Sequence, residues 1–272
     1  MQKTGAVGAA TVLLYLVARF IGALLPGDFA EFSVQILAAL LPLLLLIPLS
    51  REERGEGTVT FSPPSKRAWE HLFLLPLFLL TVMVFSFFSA MAASLFGISA
   101  PEPDGSLPIL FLNYALAPAF AEEFFFRFLL LRLFAPYGKR TAVWVTAILF
   151  ALVHMNLAQI PYALAGGLFL GAIAASSGSF WLPFLFHFCN NALSLLLLRA
   201  DGTAALATLG LLTLSSALLL HFRSSPSKDL PERTSAAALL PDRETGKALR
   251  GFGTTLLIAP ALLCLVLTFL LL

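Results

Sequence analysis

The sequence predicts an all-α, polytopic transmembrane helix bundle of about 8–9 spans, and three observations predict it. First, 59% of the 272 residues are hydrophobic and 12% charged, with a mean hydropathy of +0.91, which excludes an ordinary soluble domain of this size. Second, the chain divides into apolar runs, each long enough to cross roughly 30 Å of hydrocarbon. Third, lysine and arginine alternate between the connecting segments, the pattern that orients membrane helices.

The runs fall at 5–25, 29–49, 69–96, 107–134, 140–158, 160–177, 180–199, 203–222 and 252–272. The first is placed like a signal peptide, but it is long, contains Arg19 and lacks a clear small-residue cleavage site, so it reads as a retained helix. Segment 51–67 carries four basic residues, 97–106 none, 132–140 three and 223–251 six. With the N-terminus in the cytoplasm, 14 of the 17 Lys and Arg residues lie inside, and the C-terminus lies outside. Arg19 and Arg127 fall within spans. The segment 223–251, with Pro226, Pro231 and Pro241, reads as a flexible basic linker, and the run after it either crosses or lies beside the bundle. Residues 51–57 and this linker read as solvated loops.

Smaller features bound the function. Cys189 and Cys264 sit in apolar runs without metal or redox motifs, so no disulfide framework is expected. Gly167 and Gly171 have the spacing that lets helices approach closely. No internal repeat is visible, which counts against a transporter built from inverted halves. The net charge of +2 is small, and no nucleic-acid partner is expected.

The stretch from Ala121 to Arg127 puts Glu122, Glu123 and Arg127 in the middle of an apolar run. A charge at the centre of a bilayer costs roughly 2.5–3.5 kcal/mol even on lenient scales, so such groups face a protein interior and mark function by default. Glu123 and Arg127 are four apart, share a helix face and can neutralise each other. Glu122 is turned about 100° away, with Phe126 as its i+4 neighbour, and must find its partner on another helix. The phenylalanines at 124–126 read as lipid-facing or packing surface.

Polar groups of two later runs fall at comparable depth. His154 lies towards the end of the fifth run; in the seventh, His187 and Asn191 are four apart on one face, with Asn190 pointing elsewhere. At about 1.5 Å per residue, His187 lies roughly 10 Å from the cytoplasmic end of its span, and Glu122, Asn191 and His154 lie roughly 17–21 Å from theirs. His71 and His221 fall at span boundaries and read as interfacial. A carboxylate in such a cluster suits the task of a general base towards water. Neutral His154 can hold the same water, and His187 with Asn191 can stabilise the oxyanion formed when water adds to an amide carbonyl. Alternatively, Glu122, His154 and His187 match the ligand types of a catalytic zinc site with an open position, with Glu123 or Asn191 behind the ligands. Both readings predict peptide hydrolysis. The His-Glu-x-x-His pattern of soluble zinc proteases is absent.

Glu-Glu-x-x-x-Arg at 122–127, Phe-x-x-x-His at 150–154 and His-x-x-x-Asn at 187–191, in this order on successive runs, resemble the three motifs of the CAAX protease and bacteriocin-processing family of intramembrane proteases. The resemblance covers roughly 107–200. It implies Glu122 as base with His154, His187 with Asn191 at the oxyanion, and Glu123 with Arg127 in support. It leaves open whether zinc takes part. It divides the chain into N-terminal helices with a cytoplasmic loop (1–106), a catalytic core (107–200) and C-terminal helices with the basic linker (201–272). The expected protein is a multi-pass enzyme of a bacterial cell membrane, cleaving a membrane-associated, prenylated or bacteriocin-type protein or peptide. The alternative is a non-catalytic immunity or scaffold protein on the same fold.

Overall fold

The computed structural model describes residues 2–23, 33, 36–38, 40, 59–95, 105–154, 156, 158–224, 241 and 243–252. Most of the run expected at 29–49, nearly all of that at 252–272, Cys264 and the side chain of Arg19 lie outside the described residues. So do residues 51–58, 96–104 and 225–240.

The protein is a helical membrane bundle. The helices with described bounds are α1 (Gln2–Ala23), α2 (Ala68–Leu95), α3 (Leu107–Tyr137), α4 (Lys139–Leu152), α5 (Ile160–Ser177), α6 (Trp181–Leu198), α7 (Gly202–Ser224) and α8 (Arg243–Phe252). Among the described residues five of these, α2, α3, α5, α6 and α7, are long and apolar enough to cross a membrane. The described residues contain no strand, only an isolated bridge between Thr60 and Ser179.

Helix α3 runs through the core, with 61% of its most apolar stretch buried, against 6% for α7. Its course is uneven, because the wide π-helical turns Phe111–Leu116 and Phe124–Leu130 bracket the α-helical segment Ala117–Glu123. Pro118 accounts for the first of these. It brings no N–H to the helical ladder and crowds the carbonyl four residues back, and a widened turn accommodates both defects. Phe124, Phe125 and Phe126 are all buried, so this run is packing surface. Tyr15 of α1 stacks on Phe125 at 4.4 Å and meets Phe126 edge-on at 5.9 Å, which builds α1 into the core.

Helices α4 and α5 approach closely where glycine permits it. A Cβ on Gly167 would meet Phe150 Cδ1 at 3.1 Å and Ala147 Cα at 3.2 Å, and one on Gly171 would meet Val143 Cγ1 at 3.1 Å. The two glycines are therefore the contact surface that their spacing predicts. Helix α5 ends on Gly178, whose left-handed φ of +66° turns the chain into α6.

Three expectations need correction. The fifth apolar run, expected as a span over 140–158, is helical only to Leu152, after which the chain turns at Val153 and His154. His154 therefore sits just beyond the helix end, where its Nδ1 hydrogen-bonds the Phe150 carbonyl at 2.7 Å and satisfies an acceptor the terminated helix leaves open. The basic linker is not all loop: its last residues form α8, whose Thr245 is buried 3.4 Å from Thr141 at the start of α4. Asn190 does not point away from Asn191, because its Nδ2 donates to Asn191 Oδ1 at 3.2 Å.

Among the described residues, contacts between connecting segments join segments that the alternation of the spans places on the same side. The Thr60 N–H donates to the Gly178 carbonyl and the Phe180 N–H to the Thr60 carbonyl, both at 2.9 Å. His71 Nε2 lies 2.9 Å from Ser176 Oγ, and its Nδ1 hydrogen-bonds the Ala68 carbonyl, so this histidine ties α2 to α5 at their shared end. At the opposite end, Arg199 Nη2 donates to the Gly105 carbonyl at 3.3 Å. There Asp201 caps α7 by accepting from the Ala204 N–H at 2.8 Å and from the Thr203 hydroxyl.

Candidate active site

The site is built where α3 and α6 cross. Glu122 and Glu123 close the α-helical segment before the second π turn, and Arg127 lies one turn further on. Glu123 and Arg127 are fully buried, and Glu122 and His187 are nearly so. Arg127 Nε lies 3.1 Å from Glu123 Oε2, the ion pair that the spacing predicts. From α6, His187 Nδ1 approaches Glu123 Oε1 at 2.9 Å, while its Nε2 faces Glu122 Oε2 at 3.8 Å. The partner that Glu122 lacks on its own helix is thus His187. Glu123 is the hub of the cluster, accepting from α6 and balancing Arg127, a role its sequence position alone does not reveal.

Towards an ionised Glu123, which can only accept, His187 Nδ1 is the donor, and in the neutral ring Nε2 then holds a lone pair. In that state Nε2 and Glu122 Oε2 are two acceptors facing each other across 3.8 Å, too long for a direct hydrogen bond. A water beside this gap can donate to both. His154 Nδ1 donates to the Phe150 carbonyl at 2.7 Å.

Phe150 joins the elements. Its ring meets His154 edge-on at 5.0 Å and His187 edge-on at 5.7 Å, and the Arg127 guanidinium carbon lies 5.1 Å from its centroid. Glu122, Glu123, Arg127 and His187 are therefore brought into direct proximity, and His154 reaches them across one shared phenyl wall. Asn191 lies on α6 one turn beyond His187; its Oδ1 accepts from Asn190, which leaves its Nδ2 to donate. Sequence reasoning missed Tyr162, in the first turn of α5, which packs against the core and lies within electrostatic reach of Glu122. Phe150 was visible only as the first letter of its motif, four residues before His154 and hence on the same face.

Residues 104–193 match the family model described as Rce1-like, type II CAAX prenyl endopeptidase. Over this stretch, about a third of the chain, the sequence is similar to the CAAX protease family. No curated protein and no solved structure matches the chain. The CAAX protease match spans α3 to α6 and takes in every residue of the cluster, and it supports intramembrane endopeptidase activity in general. Helices α1, α2, α7 and α8 lie outside it. Among the described residues no group of three or more His, Cys, Asp or Glu side chains is placed to hold a metal ion.

Proposed function

We propose that the protein is an intramembrane endopeptidase that hydrolyses a peptide bond of a membrane-associated, prenylated or bacteriocin-type protein or peptide with water activated at Glu122. The observation that carries this reading is the approach of His187 Nε2 to Glu122 Oε2, 3.8 Å apart in a buried site. Glu123 is paired with Arg127, which leaves the role of base to Glu122. A water donating one O–H to Glu122 and one to His187 presents its oxygen lone pairs to a scissile carbonyl. Glu122 takes the proton as the C–O bond forms, and the same proton then passes to the departing amine as the C–N bond breaks. Asn191 Nδ2 donates to the oxyanion. The second hydrogen of the water stays on the attacking oxygen and keeps its bond to His187 Nε2, while Glu123 holds the ring through Nδ1. His154 stands beside this water along the Phe150 wall. The mechanism requires no serine, cysteine or metal.

The membrane is that of a bacterial cell, with the N-terminus in the cytoplasm. The same-side contacts of residues 60, 71 and 141 with residues 178, 176 and 245 support the alternation of the spans, and the basic residues support its direction. The test is to reconstitute the protein in lipid nanodiscs with a library of membrane-anchored and prenylated peptides, and to read new termini by mass spectrometry. New termini are expected with and without chelator. Peptide capture without any cleavage would replace this reading with that of a non-catalytic scaffold or immunity protein.

A further inference from the structure

One side chain touches polar groups from three separate parts of the chain, and it is apolar. Phe150, in the last turn of α4, has its ring centroid 5.0 Å from that of His154 beyond the helix end and 5.7 Å from that of His187 on α6. The guanidinium carbon of Arg127 on α3 lies over the same ring at 5.1 Å. The ring is itself held on two further sides. Phe126 abuts it at a right angle, 5.2 Å between centroids, and α5 closes against it at Gly167, where even a methyl group would come within 3.1 Å of Phe150 Cδ1. Among the described residues none of the Arg127 nitrogens has an aligned hydrogen-bond partner, so its delocalised charge rests on Glu123, 3.1 Å away, and on aromatic rings.

A hydrogen bond at one nitrogen does not fix where an imidazole points its other. His187 is held at Nδ1 by Glu123 and His154 at Nδ1 by the Phe150 carbonyl, at 2.9 and 2.7 Å. The terminal torsion of a histidine side chain is broad, so a ring tethered at Nδ1 alone can still swing and carry its Nε2 along an arc. Contact with Phe150 at interplanar angles of 73° for His154 and 81° for His187 opposes that swing, because two rings in edge-to-face contact leave their preferred arrangement when either turns.

We propose that Phe150 is a positioning residue: its ring, anchored by Arg127, fixes the direction of Nε2 on His154 and His187 alike. Arg127 thereby braces His187 twice, at Nδ1 through Glu123 and at the ring through Phe150. The consequence for catalysis rests on the peptidase reading; the positioning does not.

Spectra of ring-labelled histidine in lipid nanodiscs test this, with His71 and His221, near the ends of α2 and α7, as internal references. Wild-type protein should give one sharp ring signal each for His154 and His187. Phe150→Leu should broaden or double both and leave the two references sharp. A trifluorinated phenylalanine at position 150 keeps the shape of the ring and weakens its attraction for a cation, and should broaden the same two signals to a smaller extent. Where the leucine variant does not fold, the fluorinated one carries the comparison. In peptide cleavage, kcat should fall about 10- to 100-fold with leucine and about 2- to 5-fold with the fluorinated ring, with KM little changed in both. Sharp signals from His154 and His187 in folded Phe150→Leu overturn the positioning, whatever the protein cleaves, and sharp signals with the fluorinated ring overturn its anchoring by Arg127. Broadened signals in a protein that cleaves no peptide leave the positioning standing and overturn the peptidase reading.

Discussion

Helices α3 and α7 are both long enough to cross a membrane, and α7 is the more apolar of the two. Their polar residues behave differently. On α7, Thr208, Thr213 and Ser215 donate back to carbonyls four residues earlier in the same helix, which meets their needs locally and leaves the helix surface to lipid. On α3, Glu122 and Glu123 reach across to α6, and the helix is enclosed by its neighbours. Hydropathy measures how well a helix tolerates lipid, so the least lipid-tolerant span is drawn to the protein interior, the one place where its charges find partners. The same enclosure that stabilises those charges keeps bulk water away from the site.

The largest expected difference between the two helices is catalytic. His187→Gln removes the acceptor opposite Glu122 and should lower cleavage about 10²- to 10⁴-fold, as loss of proton-transfer chemistry does. Thr213→Ala on α7 should leave both rate and stability within about 0.5 kcal/mol. Initial rates measured side by side in nanodiscs decide it, and a comparable loss from both changes would erase the contrast.

Next in size is stability. Glu123→Ala leaves the Arg127 guanidinium buried without its counter-charge and should cost about 3–5 kcal/mol in reversible unfolding, much of it recovered when Arg127 is also made Met. Additive losses in the double variant would show that the two groups do not form a unit. Gly167→Ala comes third. Its new methyl group would press on Phe150 and the Ala147 backbone, costing about 1–3 kcal/mol, and it should slow cleavage by displacing the wall between the two imidazoles. Unfolding and rate measurements on the one variant check both parts.

The smallest effect belongs to the end of α7. The Thr203 hydroxyl and then the Ala204 N–H hold the Asp201 carboxylate below the usual carboxylate range. A lowered folded value means that the cap contributes fully above the ordinary value of 3.8 and is lost as pH falls through the lowered one. Asp201→Ala should therefore speed amide exchange at Ala204 at neutral pH, with the difference from wild type closing in strong acid. A difference that persists unchanged in acid would remove the carboxylate from the account.

Much of this architecture was legible in the sequence. The five long helices follow the apolar runs at 69–96, 107–134, 160–177, 180–199 and 203–222 to within a few residues, because length and hydropathy decide a membrane span almost unaided. The Glu123–Arg127 pair was legible from helical spacing, and the need of Glu122 for a partner on another helix followed from its isolation. That His187 engages both glutamates at once was not legible, since it depends on how α6 rotates against α3. Nor was the early end of α4. The apolar run continues past Leu152, and the turn is stabilised by the His154 ring on the Phe150 carbonyl, a local bond to which hydropathy is blind. Helix α8 escaped for the opposite reason: its composition is polar, and its docking depends on two threonines more than a hundred residues apart in the chain.

Single-turnover cleavage of a membrane-anchored peptide by wild-type protein and by Glu122→Gln, in nanodiscs of the same lipid, tests the role of Glu122 most directly. The wild type should yield new peptide termini, and the variant, with its unfolding transition unchanged, should yield them at least about 10²-fold more slowly. Equal cleavage by the two would contradict the assignment of Glu122 as the base.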